Sequence, residues 1–295
     1  MPQFSSPLYP FESNYHTVAD GHRLHFIDEG EVDSQPVVMV HGNPTWSFYY
    51  RNLVQALTPT HRCLVPDHIG MGLSDRPSDA DYAYTLGQRL ADFSEWMDEV
   101  EPEREVDLVV HDWGGAIGLS WAARHPERVR RILVLNTWAF NIPSHERLPA
   151  SLRFARTAVG GFLINRFNAF SGLAVRMASV PGLSREVADG LTAPYRNGPA
   201  SRLATLRFVQ DIPLSERDPA WAVLAETERL LPALADKPIQ FAWGAKDFVF
   251  NDKVLDLWKG IFPQAPVHYY DDAGHYVLED ASERITELAK GFFAV

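Results

Sequence analysis

The chain has 295 residues, of which 46% are hydrophobic and 22% are charged. This length and composition predict a soluble globular protein with one large core and exclude a disordered chain. The formal net charge of -11 provides no overall positive field for a nucleic acid or an anionic membrane surface. Cys63 is the single cysteine, which excludes an internal disulfide and a multi-cysteine metal site.

The sequence shows no sign of targeting to a membrane. Residues 1–10 lack the basic start and the apolar run of a signal peptide, and no apolar stretch is long enough to span a bilayer. We therefore expect a cytoplasmic protein without membrane insertion. No motif predicts a metal or an organic cofactor, and we expect neither.

Strands and helices alternate along the first part of the chain. A helix is predicted over residues 86–100, where apolar side chains recur at helical spacing. Short apolar runs, rich in β-branched residues, predict buried strands at 36–40, 63–65, 106–110 and 132–135. Such alternation predicts an α/β fold with a mostly parallel sheet flanked by helices.

The alternation stops near residue 140 and resumes near residue 219. The intervening segment contains short helical pieces broken by Pro and Gly, which predicts a helical cap over 140–218. The core is then divided into a first part, 1–139, and a second part, 219–295. In an open parallel sheet the loops after the strands meet at one edge, so we expect a single site there.

The loop after the strand 106–110 has the pattern of a nucleophile elbow. His111, Asp112 and Trp113 are followed by Gly114 and Gly115, so a sharp turn should hold the side chain of Asp112 out of the backbone. Aspartate has a reference pKa of about 3.9 and is ionised at neutral pH, so it can attack carbon directly. A helix N-cap is the alternative role for Asp112, and a packed core position is the expected role for His111.

Attack by a carboxylate on carbon forms an ester, whose hydrolysis requires a base. His275 follows a predicted strand at 267–270 and is the candidate base. Asp247 follows a predicted strand at 238–243 and is the candidate for the orienting acid. The other strand end that could supply this acid carries Asn136, which has no carboxylate.

Asn43 and Trp113 are candidates for anion binding. Their side-chain N–H groups are neutral donors that suit a large monovalent anion such as a halide. Their backbone N–H groups could form the oxyanion hole for ester hydrolysis. The alternative roles are a turn for Asn43 and packing for Trp113.

These motifs together resemble the haloalkane dehalogenases of the α/β-hydrolase superfamily. The resemblance covers nearly the whole chain and rests on residues 41–46, 67–75, 111–115 and 271–275. It implies Asp112 as nucleophile, His275 as base and Asp247 as acid. It also implies Asn43 with Trp113 as the halide-binding pair, while Trp138 is not clearly a second halide ligand.

The chain also resembles the β-lactone decarboxylases of bacterial long-chain olefin biosynthesis. The runs 167–172 and 208–215 are at least as similar to those enzymes as to dehalogenases. We rank haloalkane dehalogenase first and β-lactone decarboxylase second. Either activity would act on a small apolar substrate.

Two further hypotheses rank lower. Epoxide hydrolases also place Trp after the elbow Asp, but they use two cap tyrosines, and the predicted cap here has only Tyr195. A binding module without catalysis would not need the complete set of Asp112, Asp247 and His275. Six apolar side chains of the predicted cap are candidates for lining the substrate chamber, and we expect only some of them there: Phe154, Phe162, Phe167, Phe170, Met177 and Phe208.

Overall fold

A mixed sheet of eight strands forms the centre of the protein, in the order β1-β2-β4-β3-β5-β6-β7-β8. The computed structural model describes residues 4–101, 103–142 and 149–294. β1 and β2 are antiparallel to their neighbours, and the other six strands, β3 to β8, are parallel to one another. The strands are β1 Asn14–Thr17, β2 Arg23–Glu29, β3 Gln35–Val40, β4 His61–Pro66, β5 Val106–Asp112, β6 Val129–Thr137, β7 Ile239–Gly244 and β8 Val267–Tyr270.

Helices cover both faces of this sheet. The α-helices are α1 Arg51–Leu57, α2 Leu86–Val100, α3 Trp113–Arg124, α4 Ala150–Ala155, α5 Ala158–Phe167, α6 Ala169–Met177, α7 Arg185–Thr192, α8 Leu203–Asp211, α9 Pro219–Leu230, α10 Asp252–Ile261, α11 Val277–Asp280 and α12 Ser282–Phe293. Short 3₁₀ segments are Ser47–Tyr50, Pro126–Arg128, Ala193–Tyr195, Pro199–Arg202 and Leu231–Leu234. Among the described residues, no helix is both long and apolar enough to cross a membrane.

The two faces of the sheet bury separate apolar cores. Val38 and Val40 of β3 point to the core under α2 and α3, whereas Val37 and Met39 point to the core under α1 and α12. All four side chains are fully buried. Burial on both faces explains why these strands are continuous apolar runs in the sequence. The predicted α/β fold with a mostly parallel sheet is confirmed.

Helices α4 to α8 lie between β6 and α9 in the chain. A small apolar cluster joins α4, α5 and α8 through Ala155, Ile164, Leu206 and Val209. The next helix, α9, packs against α2 and α3 and so belongs to the layer beside the sheet. The cap boundaries of 140 and 218 stay a prediction, and residues 143–148 within them lie outside the described residues.

Candidate active site

Asp112 lies at the turn between β5 and α3, with φ of 51° and ψ of -128°. Residues other than Gly rarely adopt positive φ, because this backbone conformation is strained. Such strain is common where a catalytic group must be held in place. The turn is possible because Gly114 lies directly against the backbone of Val40, where a Cβ would overlap the carbonyl. A Cβ at Gly42 would overlap the Asp112 side chain in the same way. Close packing therefore holds this carboxylate at the carboxyl edge of the sheet.

Asp112, His275 and Asp247 meet at this edge, as the motifs predicted. The Nδ1 of His275 lies 2.8 Å from Oδ2 of Asp247, and the Nε2 lies 3.7 Å from Oδ2 of Asp112. All three residues are buried. Because Nδ1 donates to Asp247, the other ring nitrogen of His275 faces Asp112. The second oxygen of Asp247 accepts hydrogen bonds from the backbone N–H groups of Val249 and Phe250, at 2.7 and 3.1 Å.

Burial and neighbouring charges shift the pKa values of Asp112 and His275. Burial raises the pKa of Asp112 to about 6, although the nearby His275 and two backbone N–H groups favour its ionised form. Burial by itself would lower the pKa of His275, but the negative charges of Asp247 and Asp112 outweigh it, so the pKa is raised. Below pH about 6 the carboxyl of Asp112 becomes protonated and stops being a nucleophile.

The backbone N–H groups of Asn43 and Trp113 bind the Asp112 carboxylate. The N–H of Asn43 donates to Oδ1 at 2.6 Å, and the N–H of Trp113 also donates to this side chain. These bonds orient the carboxylate, and the oxygen that faces His275 is Oδ2. Once Asp112 is esterified, the same two donors are placed to stabilise negative charge on its carbonyl oxygen.

The side chains of Asn43 and Trp113 line a cavity above the nucleophile. The Nδ2 of Asn43 donates one hydrogen bond to the carbonyl of Thr205 in α8, at 3.1 Å, so its second hydrogen remains for an anion. The Trp113 ring meets the edge of Trp138 at 4.8 Å between centroids. Trp138 also lines the cavity.

We expect Asn43→Ala and Trp113→Phe each to slow bromide release from a bromoalkane by roughly 10²-fold, because each removes one donor to the departing anion. The Phe variant keeps an aromatic ring against Trp138. Trp121→Phe is the matched control, since it removes a buried indole N–H from the same helix outside the cavity. Steady-state bromide release measures the effect, and unchanged rates in both variants would contradict the anion-site assignment.

The cavity has a volume of about 420 Å³, and its walls are mainly apolar. Of the six candidate cap residues, Phe154, Phe170 and Met177 line it. The expectation is wrong for the other three. Phe162 and Phe167 are at least 60% exposed and lie outside the cavity lining.

Phe208 is the third of these corrections, because it supports the site from behind. Its ring is fully buried, 5.1 Å from the ring of Trp113. On its other side the guanidinium of Arg89 lies 3.6 Å from the ring centroid. Arg89 in turn lies 3.7 Å from the carboxylate of Asp211. Phe208 therefore fixes the position of Trp113 and does not form part of the cavity wall.

The sequence analysis missed several residues of the site. Phe248 and Phe250 line the cavity beside His275, and their position directly after Asp247 was a usable signal, since loops at this edge were expected to converge. Thr205 gave no signal, because it acts through its backbone carbonyl. The hydroxyl of Thr137 donates to the carbonyl of Asp112, and no motif marks it.

Three other residues have structural roles. Asn136, at the alternative acid position, joins the ends of β6 and β7 through hydrogen bonds with Gly244 at 2.8 and 3.1 Å. Tyr195 is fully buried and donates to the carbonyl of Thr45, so it offers no phenol to the cavity for epoxide opening. Burial raises the pKa of Cys63 to about 12, which makes it a poor nucleophile.

His111 supports the site through the backbone. Its Nε2 lies 2.8 Å from the carbonyl oxygen of His275 and donates to it. Burial lowers the pKa of His111 well below its usual value, so the ring is neutral. This buried supporting position agrees with the packed role expected for it.

Comparison with known proteins identifies the family of this chain. The family model described as the alpha/beta hydrolase fold matches residues 35–282. The chain therefore belongs to the α/β-hydrolase family. A haloalkane dehalogenase from Bradyrhizobium elkani has the same fold, with a TM-score of 0.86 and 25% identity over 96% of this chain and 98% of that one.

Curated relatives are of two kinds. A protein of Shewanella oneidensis named cis-3-alkyl-4-alkyloxetan-2-one decarboxylase is 46% identical, over 97% of this chain and 89% of its own length. One of the same name from Xanthomonas campestris is 40% identical, over 97% of both chains. Haloalkane dehalogenase 2 of Mycobacterium bovis is 32% identical, over 94% of this chain and 93% of its own.

Proposed function

We propose that this protein is a β-lactone decarboxylase that converts a cis-3-alkyl-4-alkyloxetan-2-one into an alkene and carbon dioxide. The observation that carries the proposal is its identity of 46% and 40% to two proteins of that name, compared with 32% to a dehalogenase. This reverses the ranking made from the motifs, which both groups share. Haloalkane dehalogenase becomes the second candidate, favoured by the Asn43 and Trp113 donor pair.

The first chemical step is opening of the four-membered ring. Oδ2 of Asp112 attacks C4, the ring carbon bonded to the ring oxygen, and forms a C–O ester bond. The bond between C4 and the ring oxygen breaks, and its electron pair forms a carboxylate on C3. The side chains of Asn43 and Trp113 line the same cavity, which supports a role for their N–H groups in stabilising this departing anion. The carboxylate thus takes the place that a halide would occupy in a dehalogenase.

The second step releases both products. The carboxylate on C3 leaves as carbon dioxide, and the electron pair of the broken C–C bond forms the double bond between C3 and C4. The bond from C4 to the Asp112 oxygen breaks at the same time, and its electron pair restores the carboxylate. The cycle consumes no water, so His275 need not activate one. His275, whose Nε2 lies 3.7 Å from Asp112, instead favours the ionised state of Asp112 when its ring is protonated.

The cavity suits a ring with two alkyl chains. Three of its polar groups, Asn43, Asp112 and His275, lie together. Ser151 and Arg153 also line the cavity, and the rest of the lining is mainly apolar. In a site of this kind a few polar groups orient the reactive ring, and the apolar walls bury the alkyl chains. Leu152, Ile164 and Phe170 provide apolar wall on the side of the predicted cap.

A parallel assay of a cis-3,4-dialkyl-oxetan-2-one and a 1-bromoalkane of matched chain length tests the proposal. We expect alkene formation with a kcat/KM at least about 100-fold above that of bromide release, a difference of about 2.7 kcal/mol in transition-state stabilisation. Gas chromatography measures the alkene, and an ion-selective electrode measures bromide. Wild-type protein that releases bromide but forms no alkene would assign the dehalogenase activity and leave the residue roles unchanged.

A further inference from the structure

Helices α4, α5 and α6 expose an unusual amount of apolar surface. Six of their large apolar side chains are at least half exposed. We call this set the rim face: Phe154, Val159, Phe162, Phe167, Leu173 and Met177. Exposed apolar side chains clustered in this way mark an interaction site more often than a solvated surface.

The rim face is continuous with the mouth of the cavity. Phe154, Leu173 and Met177 line the cavity and are also at least half exposed, so they form its edge. Phe162 and Phe167 extend the surface outward, with their ring centroids 5.9 Å apart. Leu214 and Phe248, which are 53% and 40% exposed, line the cavity from other elements. The active-site cavity therefore opens onto apolar surface.

The same helices carry only positive charge. Residues 149–184 contain Arg153, Arg156, Arg166 and Arg176 and no Asp, Glu or Lys, although the chain as a whole has a net charge of -11. Arg156 lies 3.9 Å from Asp218. The other three are exposed, and within the described ranges none of them forms an ion pair. Arg153 also lines the cavity.

We propose that the rim face docks on the surface of an anionic phospholipid bilayer. Helices with exposed Phe, Leu and Met beside unpaired Arg are typical of segments that lie in the membrane interface. The arginines would meet lipid phosphates while the apolar side chains enter the acyl region. Charges further away than the Debye length, about 8 Å at physiological salt, contribute little, so acidic residues on distant parts of the protein weaken this local attraction only slightly.

Docking in this orientation turns the cavity mouth toward the acyl chains. An apolar substrate could then enter, and an apolar product leave, without crossing water. This consequence rests on the proposed function, whereas the docking itself rests only on the surface. The two therefore fail separately: an assay without lipid tests the reaction, and a vesicle assay without substrate tests the docking.

Vesicle co-sedimentation of the purified full chain tests the docking. We expect binding to vesicles of phosphatidylcholine with 30% phosphatidylglycerol, chosen as about one anionic lipid in three to give a negative surface. Binding should be at least about tenfold weaker to pure phosphatidylcholine, and also at about 0.5 M NaCl, because screening shortens the reach of the arginines. Vesicles that fail to bind the protein at low salt would overturn the proposal.

Two variants locate the contact on the rim face. Val159→Ser with Phe162→Ser removes apolar surface outside the cavity, and Arg166→Glu with Arg176→Glu reverses two unpaired charges. We expect each pair to weaken binding to the anionic vesicles by about tenfold or more. The controls are Val32→Ser, a 63% exposed apolar residue on another loop, and Arg185→Glu, an exposed arginine beyond α6. Neither control should change binding.

Thermal unfolding shows whether each variant is folded, and sedimentation velocity measures self-association. Rim-face variants that bind as tightly as the wild type would overturn the proposal. It would also be overturned if the wild type self-associates, ignores the vesicles and becomes monomeric on loss of Val159 and Phe162. That result would assign the rim face to an interface between copies of the chain.

Discussion

Asp112→Asn is expected to lower kcat by at least about 10⁴-fold for a β-lactone and for a bromoalkane alike, because a neutral amide is a poor nucleophile toward carbon. The fold should persist. Asn has nearly the shape of Asp, can accept the hydrogen bond from the N–H of Asn43, and is among the residues best tolerated at positive φ. Initial rates of alkene and bromide formation measure the loss, and circular dichroism verifies the fold.

Asp112→Ala provides an independent removal of the carboxylate, with the same expected loss. Asp272→Asn is the matched control, because this carboxylate is three residues from His275 but is exposed and paired with Arg284 at 2.7 Å. A surface pair of this kind contributes little to stability, so the control should retain wild-type rates. Folded Asp112→Asn and Asp112→Ala proteins with near wild-type turnover would rule out attack by Asp112.

His275→Phe is expected to separate the two chemical steps when the substrate is a reactive bromoalkane that the wild type turns over. Attack by ionised Asp112 needs no base, but hydrolysis of the resulting ester does. The variant should release about one equivalent of bromide and then stop, with the alkyl group retained on the protein. Phe suits the site, since the ring of Phe250 lies 5.8 Å from that of His275. Intact-protein mass spectrometry and peptide mapping locate the added mass.

The double variant of His275→Phe with Asp112→Asn is the control and should gain no alkyl mass. Repeated turnover of the bromoalkane by His275→Phe would disprove the two-step ester mechanism, as would an unmodified protein. A cis-β-lactone should behave differently in the same variant. Its reaction consumes no water, so alkene should form over many turnovers, at a reduced rate because the cation that favours ionised Asp112 is lost. A single turnover with the lactone would instead require His275 in the release of alkene.

The meeting of Asp112, His275 and Asp247 could be predicted from short stretches of sequence. The elbow is made of neighbouring residues, so strand 106–110, Asp112 and Gly114 carry its whole pattern. His275 and Asp247 follow predicted strands, and the geometry of a parallel sheet brings strand ends to one edge. The choice between Asp247 and Asn136 was also possible, since only one of them has a carboxylate. The conformation of the elbow and the positions of the strand ends depend on residues that are neighbours in the sequence, so a local sequence pattern is enough to predict them.

The choice of substrate could not be predicted in this way. Residues 111–115 and 271–275 resemble both families, so these motifs alone do not distinguish a lactone from a haloalkane as substrate. We rank the lactone above the haloalkane because of sequence identity over the whole chain, which includes the walls of the cavity. The walls of this cavity are mainly apolar, and apolar packing is weakly specified by residue type.

Sequence patterns also left the two antiparallel strands β1 and β2 unpredicted. In β2 the apolar run is interrupted by His25, which is nevertheless fully buried. Its Nδ1 lies 2.8 Å from the carboxylate of Asp67, a residue 42 positions later in the chain. A buried polar side chain is acceptable only with such a partner, and the partner is known only once the chain has folded.

Sequence by itself predicted the parallel sheet and the meeting of Asp112, His275 and Asp247 at its edge, whereas tertiary structure decided which way the side chains of α4 to α8 face. Phe170 lines the cavity, Phe167 is exposed, and Phe208 lies under Arg89, although all three are aromatic residues of helices in the predicted cap. The net charge of -11 likewise gave no indication that the charged side chains of residues 149–184 are all positive. The orientation of a helix about its axis depends on contacts with residues distant in the chain, such as Arg89 of α2, and a local pattern does not contain them.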